Sequence, residues 1–439
     1  MTRPFRPLSR LFWLALLVAF LALQTPSTTA LGAPSSEGES VTLAVALERT
    51  MKSNPTIQAA TWAIREAEGG VTQAGLWPNP ELGLEYEDFG LTRPWLTDGD
   101  VTISVHQAFP LSNRITAARD AARIRVKRHG VMKELNVLDA VAGLRQEFVV
   151  ALGARERTVL ASQALELAES MRELVLARVE AGDLPESQLD PLDAEVVMAR
   201  LELDGARRES AIAASRLASW WGDDARAMTV EGTLHQPDQL LASLPDSALP
   251  SKSPRVQVYE QMAREARAIR DLEDASATPD LNLGLGYRGI SSFDESALVV
   301  SFSIPLPLVD RNQGRRDSAR AAQRRVEFEA QAGGAEIMRA IFEARQRLEG
   351  ATQRWQMVHQ ELRPAMQRSV ESARLGFQAG ELGTLALLEA KRALMKASRL
   401  ELEALVEANL AWIRWNKMAG NLDALMSPSI AATQTGVSE

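Results

Sequence analysis

Residues 279–308 read PDLNLGLGYRGISSFDESALVVSFSIPLPL, and this stretch decides the fold of the chain. Apolar and small or polar residues alternate strictly in both of its arms. The apolar positions are Leu281, Leu283, Leu285 and Tyr287 in the first arm, and Leu298, Val300, Phe302 and Ile304 in the second. Successive side chains of a β-strand point to opposite faces, so the pattern predicts an amphipathic hairpin. Each arm has about ten residues, the length of a tilted strand that crosses a bilayer. The alternation alone leaves open whether the apolar face meets lipid or a soluble core.

Composition and the first residues narrow the class of protein. The chain has 439 residues, no cysteine and a formal net charge of −8, which excludes disulfides and thiolate metal sites. Residues 1–33 have the pattern of a signal peptide, with three arginines, an apolar run at 11–23, and a cleavage position after Ala30 or Ala33. Its removal takes the net charge to −11, because it holds three arginines and no acid. We therefore expect an exported protein that does not bind nucleic acid.

Repeated landmarks in the sequence indicate that the rest of the chain holds two copies of one unit. Asn54-Pro55 recurs as Ser253-Pro254, and four further landmarks recur in the same order. These are PELGL at 80–84 with PDLNL at 279–283, FPL at 109–111 with IPL at 304–306, AGDL at 181–184 with AGEL at 379–382, and LDA at 192–194 with LEA at 388–390. We interpret them as an internal two-fold repeat. The units span 41–228 and 254–425, with a linker at 229–253 and a disordered tail at 426–439.

The sequence of each unit predicts a helix, two strands, a very long helix and a returning helix, in that order. In the first unit these are a helix at 42–76, strands at 81–89 and 101–109, a long helix at 112–181 and a helix at 187–220. In the second, the strands are at 280–288 and 297–305, the long helix at 312–379 and the returning helix at 384–420. Apolar residues of the helices step by four and three, as in coiled coils. We expect a kink at Pro364. About seventy helical residues make a rod of roughly 100 Å.

Four strands are too few to close a membrane barrel. An open sheet edge in hydrocarbon leaves backbone groups unpaired, at several kcal/mol each. If the apolar face meets lipid, closure needs several copies of the chain: two copies give eight strands and three give twelve. The fold expected is therefore mostly α-helical, with a membrane β-barrel shared between copies.

The same order of elements resembles the outer-membrane efflux duct family of the TolC type. The phrases that carry the resemblance are AGLWPNPELGLEYEDFG at 74–90, ARVEAGDL at 177–184, SIPLPLVDRNQG at 303–314 and GFQAGELGTLALLEAKRALMKA at 376–397. Two of them, around NPEL and PLPLVDRNQG, are most similar to the heavy-metal, CzcC-like branch. The resemblance implies a homotrimer with twelve strands in the outer membrane and long helices in the periplasm. It would be a passive export duct that works with a periplasmic adaptor and an inner-membrane pump of the resistance-nodulation-division (RND) type.

The resemblance also assigns roles to two groups of residues. The turns after the long helices form the periplasmic tip and meet the adaptor in the family. The matching residues are Ala181, Gly182 and Asp183 in the first unit and Ala379, Gly380 and Glu381 in the second.

The family's acidic pore residues lie on the returning helices close to that tip. They match Asp190, Asp193 and Glu389. The chain departs from the family at Ala386, which stands where a further acid would fall, and in two extra residues at 185–186.

The polar face of the strands supplies the remaining candidates. Glu81, Glu85, Glu87 and His106 fall on one face of the first strand pair, and Arg288 falls on the polar face of the second. As rings around a barrel, the acids would favour cations, although any water-filled lumen needs polar side chains. The four histidines are scattered, and no catalytic constellation appears, so we expect no enzyme activity, no cofactor and no resident metal site.

Two other functions fit parts of the pattern. The same duct could serve drug efflux or type I protein secretion. A protein of a different class, a soluble periplasmic coiled-coil adaptor or scaffold, would instead pack the hairpins in a β-domain. For the duct itself, heavy-metal cations such as cobalt, zinc, cadmium or copper are the substrates that the branch resemblance implies.

Overall fold

The computed structural model describes residues 39–87, 99–223, 228–245, 253–290 and 295–427. In the first half of the chain, a short strand and two helices precede two longer strands, a very long helix and a returning helix. The elements are β1 (Glu39–Thr42), α1 (Leu43–Ser53), α2 (Pro55–Ala74), β2 (Glu81–Glu87), β3 (Asp100–Pro110), α3 (Arg114–Glu180) and α4 (Asp190–Ala218). Single 3-10 turns lie on either side of α4, at Glu186–Gln188 and Ser219–Trp221.

The second half passes through the same sequence of elements after a short connection. The connection holds β4 (Met228–Glu231) and α5 (Pro237–Ala242). Then follow α6 (Pro254–Ala275), β5 (Asp280–Ile290), β6 (Glu295–Ser303), α7 (Gln313–Gln356), a π-helix (Met357–Leu362), α8 (Arg363–Gln378), α9 (Thr384–Ala419) and α10 (Leu422–Met426). Within the described ranges, no helix combines the length and the apolar composition that a bilayer crossing requires.

A proline in the first turn starts the helix that precedes each strand pair. The Asn54 side chain accepts hydrogen bonds from two N–H groups of the first turn of α2 at 3.0 and 3.3 Å, and Pro55 has no N–H to satisfy. Asn54 also donates to the Trp220 carbonyl at 2.9 Å. Ser253, which also precedes a proline, donates to the Met418 carbonyl at 3.4 Å. Each half therefore ties the start of this helix to the end of its own returning helix.

The four long strands form one antiparallel sheet in the order β2-β3-β5-β6. The two strand pairs join through β3 and β5, whose register runs from Val101 opposite Gly289 to Pro110 opposite Asp280. β2 and β6 are the outer strands, and among the described residues neither pairs with a further strand. Both outer edges thus keep a row of backbone groups free to pair with another chain.

The main hydrophobic core lies around the middle of α3, away from the sheet. It joins α3 to the ends of α4 and α9, to α7 and to the parallel pair of β1 with β4. Trp415, Leu138, Leu144 and Leu348 are among its largest fully buried side chains. The two halves of the chain thus share one core at this level.

A buried arginine belongs to this core. The Arg145 side chain is only 3% exposed and its Nη1 donates to the carbonyls of Leu425 and Ser427, at 2.8 Å each. Its guanidinium also lies 4.9 Å from the centroid of the Trp412 ring. Burial lowers the pKa of Arg145 to about 10. Burying a guanidinium costs free energy unless its N–H groups are hydrogen-bonded. Here backbone carbonyls accept those hydrogen bonds and the Trp412 ring packs against the charge.

The second long helix is interrupted where proline was expected to bend it. Pro364 has no N–H to donate, and its ring clashes with the carbonyl one turn earlier in a regular α-helix. The six residues just before α8 accordingly form a π-helix. Partners on α9 hold this stretch in place. Glu401 accepts from Arg363 at 2.9 Å and lies 2.6 Å from Nδ1 of His359, whose ring stacks on Trp355.

Several element boundaries differ from those predicted. The helix expected at 42–76 is two helices that break at Asn54, and α4 begins only at Asp190, after a 3-10 turn, rather than at 187. β6 ends at Ser303 rather than at 305, because Pro305 has no N–H for a ladder bond. The long helix expected at 312–379 is divided by the π-helix. The signal peptide at 1–33, positions 88 and 89 of the strand predicted at 81–89, and most of the tail at 426–439 lie outside the described residues.

Candidate functional site

The apolar face of the four-stranded sheet is exposed in the part of the chain that the structure describes. Cross-strand register lines up apolar side chains in rows that run over all four strands. One row is Leu82, Val105, Leu285 and Val300, which are 77, 48, 57 and 72% exposed. The next is Leu84, Ile103, Tyr287 and Leu298, which are 72, 52, 59 and 72% exposed. An apolar surface of this extent marks an interaction with a membrane or another protein.

The opposite face of the sheet is built from small and polar residues. Gly83 lies beside Ser104, and a Cβ at position 83 would lie 2.8 Å from the Ser104 hydroxyl. A Cβ at Gly284 would overlap the His106 ring, so glycine here makes room for the histidine. His106 Nε2 and the Ser104 hydroxyl share a hydrogen bond of 2.9 Å. This face therefore carries polar groups with little bulk.

The five residues predicted to line a lumen all lie on this polar face, by alternation and register. Arg288 forms an ion pair with Glu87 and donates to the Thr102 hydroxyl at 2.9 Å. Glu81 and Glu85 are exposed farther along β2. The charges of Arg288 and Glu87 cancel each other, so Glu81 and Glu85 leave this face with a net negative charge.

The turns after α3 and α8 have the same hydrogen-bonded geometry. Gly182 has φ +82° and Gly380 has φ +76°, the left-handed conformation that glycine adopts at no steric cost. In the first turn, the N–H of Gly182 donates to Val179 at 2.9 Å and that of Asp183 donates to Arg178 at 2.8 Å. The second turn repeats both bonds, at 3.2 and 2.9 Å. These are Schellman motifs, in which a left-handed residue satisfies the last carbonyls of a helix.

A small hydrophobic cluster brings the two turns together at one end of the helical region. It includes Met171 and Val175 of α3, Leu192 of α4, Phe377 of α8 and Leu387 of α9. The first and second halves of the chain each contribute one helix end and one helix start. Residues 181–183 and 379–381, which the family resemblance assigns to one tip, therefore border a common cluster.

The three candidate pore acids lie near this cluster and are exposed. Asp193 forms an ion pair with Arg172, whose pKa this contact raises. Asp190 is the first residue of α4, and Glu389 lies one turn into α9. The structure thus places all three acids just beyond the turns, with one of them paired inside the chain.

Two ion pairs between α4 and α9 were not anticipated from the sequence. Arg392 donates to Glu195, at 3.1 Å through Nε, and Arg399 pairs with Glu202. Both pairs join residues 197 positions apart. A search for opposite charges that recur at a spacing of seven along both returning helices would have found them.

Comparison with known proteins assigns the family. The model of the family described as outer membrane efflux protein matches the chain twice, at residues 46–223 and 244–421. The chain belongs to the outer membrane efflux protein family. This membership excludes the soluble adaptor and identifies a transport protein, not an enzyme.

Individual members of the outer membrane efflux family align over most of the chain. The cobalt-zinc-cadmium resistance protein CzcC of Cupriavidus metallidurans is 28% identical over 374 residues, which cover 83% of this chain and 86% of that protein. The nickel-cobalt-cadmium resistance protein NccC of Alcaligenes xylosoxydans xylosoxydans is 24% identical over 315 residues, with 71% and 70% covered. Among solved structures, CusC has a TM-score of 0.73 at 16% identity and covers 86% of this chain and 92% of its own. That likeness supports the fold.

Proposed function

We propose that three copies of this chain form the outer-membrane duct of a metal efflux system. The observation that carries the proposal is the sheet, which has a bare apolar face, a polar face of low bulk and two open edges. In hydrocarbon, both edges need partners, and closing the sheet with further copies supplies them. The apolar face would then meet lipid, and the polar face would line a channel.

The interior width that a duct requires favours a barrel of three copies over one of two copies. Two copies would give eight strands, and side chains fill the interior of an eight-stranded barrel. Three copies give twelve strands and a wider lumen. In this arrangement Glu81, Glu85, Glu87, His106 and Arg288 would recur three times around the channel.

The long helices would continue the duct into the periplasm. The 67 residues of α3 make a helix of roughly 100 Å. The shared order of elements and the two family matches support an origin by internal duplication. We assign residues 1–33 as the export signal, the Gly182 and Gly380 turns as the contact with a periplasmic adaptor, and an RND-type pump as the source of energy.

Metal cations are the substrates that the relatives support best. CzcC and NccC are named for resistance to cobalt, cadmium, zinc and nickel. The exposed acids Asp190 and Glu389 near the turns would concentrate cations at a narrow mouth. A passive duct needs no tight metal site, because tight binding would slow release.

The first test is growth of a strain that lacks the gene. We expect sensitivity to cobalt, zinc, cadmium, nickel or copper, restored by the intact gene. Sensitivity to drugs alone would reject metal as the substrate, and no phenotype with metals or drugs would reject the efflux role.

Glu389→Gln should lower cation conductance in planar bilayers more than Asp193→Asn, since Arg172 already pairs with Asp193. Glu343→Gln, an exposed acid on α7, is the matched control.

The second test is the number of copies. Because the chain has no cysteine, single cysteines can be placed on β2 at Glu85 and on β6 at Ser301. A bifunctional maleimide should link the double variant into a ladder that ends at three chains on a denaturing gel, whereas each single variant should stop at two or fewer. A ladder that ends at two chains would refute the trimer.

A further inference from the structure

An exposed apolar loop follows β6 at the edge of the sheet nearest the helices. All residues from 304 to 311, which we term the collar loop, are exposed. Leu306, Leu308 and Val309 are 74, 72 and 87% exposed, among the most exposed large apolar side chains described. Three neighbouring side chains of this kind on one loop are costly in water, at about 25 cal/mol for each Å² of apolar surface.

Hydrogen bonds hold the end of the collar loop in a defined shape. Asn312 has φ +59°, and its side-chain amide donates to both the carbonyl and the carboxylate of Glu273 on α6, at 2.8 Å each. The N–H of Asn312 donates to Asp310 at 2.9 Å, and the N–H of Arg311 donates to the Gln313 side chain at 2.7 Å. The loop therefore presents its apolar side chains from a fixed base.

Two arginines at the end of the loop have no acidic partner among the described residues. Arg311 and Arg315 are exposed, and neither forms an ion pair with any residue that the structure describes. Arg316 and Arg320, in the same stretch, pair with Asp274 at 2.7 Å and Asp317 at 3.4 Å. The Arg311 guanidinium donates to the Leu308 carbonyl at 3.4 Å, a neutral partner, so both arginines keep an unpaired positive charge close in sequence to the three exposed apolar side chains.

The loop continues the apolar pattern of β6. Apolar residues stand at every second position from Leu298 to Leu308. β6 has nine residues, and at about 3.3 Å per residue and a tilt near 45° it descends roughly 21 Å, close to the apolar band of about 25 Å in membrane barrels. The collar loop would therefore lie at the periplasmic end of the apolar band, and Arg311 and Arg315 would lie near the level of the lipid phosphates.

We propose that the collar loop and these arginines bind anionic phospholipid in the periplasmic leaflet. Leu306, Leu308 and Val309 would enter the acyl region, and the guanidinium groups would bind headgroup phosphate, for which arginine has matching donors. The inference rests on the proposed lipid-facing sheet. Charge complementarity favours lipid over a second copy of the chain, because a neighbouring copy would bury the leucines without supplying phosphate.

The first experiment measures the position of the loop. Full-length protein with a single cysteine at position 309 carries an environment-sensitive fluorophore and is reconstituted in vesicles of brominated phosphatidylcholine and phosphatidylglycerol. We expect quenching at 309, as at a Phe302→Cys control on β6, and none at a Leu385→Cys control beside the second turn. Quenching at 302 but not at 309 would mean that the loop lies outside the lipid, in water or against another copy, and would overturn this inference alone. Quenching at neither position would overturn the lipid-facing sheet itself.

The second experiment measures lipid preference. Purified protein in detergent is titrated with fluorescent phosphatidylglycerol and with fluorescent phosphatidylcholine. Each arginine near an anionic surface contributes about five-fold in affinity, so Arg311→Gln with Arg315→Gln should reduce the preference for phosphatidylglycerol by about 25-fold. Arg368→Gln, an exposed arginine on α8, should leave the preference unchanged. An unaltered preference in the double variant would refute the arginine site.

Discussion

Replacing Gly182 by alanine isolates the contribution of the turn geometry at the end of α3. The residue has φ +82°, and a Cβ built there meets no atom within 4 Å, so the cost is conformational and not steric. An L-residue in the left-handed region costs about 1–2 kcal/mol. Gly380, with φ +76° and equally open space, should behave in the same way.

A glycine in the interior of the same helix provides the matched control. Gly130 lies within α3, and a Cβ there also meets nothing within 4 Å. Alanine is favoured over glycine by about 0.5–1 kcal/mol in a helix interior. Gly130→Ala should therefore stabilise the helix, while the same substitution at position 182 should weaken its end.

Hydrogen exchange at the turn is the direct measurement. The N–H groups of Gly182 and Asp183 donate to helix carbonyls at 2.9 and 2.8 Å, so their protection reports the closed turn. A loss of about 1–2 kcal/mol should speed their exchange by about 5- to 30-fold in Gly182→Ala. Exchange equal to that of the unmodified protein would refute the left-handed turn, whereas destabilisation by Gly130→Ala would contradict only the helix-interior reasoning for the control.

Three further outcomes follow from the packing and charges. Arg145→Met should lower the free energy of unfolding by about 2–4 kcal/mol, because it leaves buried carbonyls without a donor. Calorimetry in detergent should show this loss as a lower melting temperature, and an unchanged melting temperature would contradict the reasoning. Burial, together with the charge of Arg145, lowers the pKa of His235. The contribution of this residue to stability should therefore be complete above about pH 6.5 and fall as the pH drops below it. His235→Gln should flatten the dependence of the melting temperature on pH between 7.5 and 5.5, and an unchanged slope would count against the assignment. Arg288→Gln should free Glu87 and raise the cation-to-anion permeability ratio in planar bilayers, whereas a lower ratio would contradict a lumen-facing position for this pair.

The features that the sequence predicts well are local ones. Alternation with period two requires only neighbouring residues, and it identified the strands and their two faces. The Ala-Gly phrases at 181–182 and 379–380 mark helix ends because a left-handed turn depends on the residue that adopts it. The long helices follow from runs without proline.

The features that the sequence does not reveal depend on distant partners. Pro364 predicts a bend, but the π-helix before it is held by Glu401, 38 residues from Arg363 along the chain. The pairing of Asp193 with Arg172 is another such case, and it removes one acid from the charge expected near the turns. The parallel pairing of β1 with β4 likewise joins segments that no local pattern connects.

The distribution of bulk across the sheet argues for a channel over a packed β-domain. A soluble sandwich turns its large apolar side chains inward and its small polar ones toward water. Here the large side chains, such as Phe302 at 79% exposure, are bare, while the face that would be enclosed on closure carries Gly83, Gly284 and Gly286 beside one histidine. Glycines on an enclosed face cannot fill a core, and they let polar groups approach the backbone closely. A barrel closed from this sheet would therefore keep an open, hydrated interior, which is what an efflux duct requires and a folded core does not tolerate.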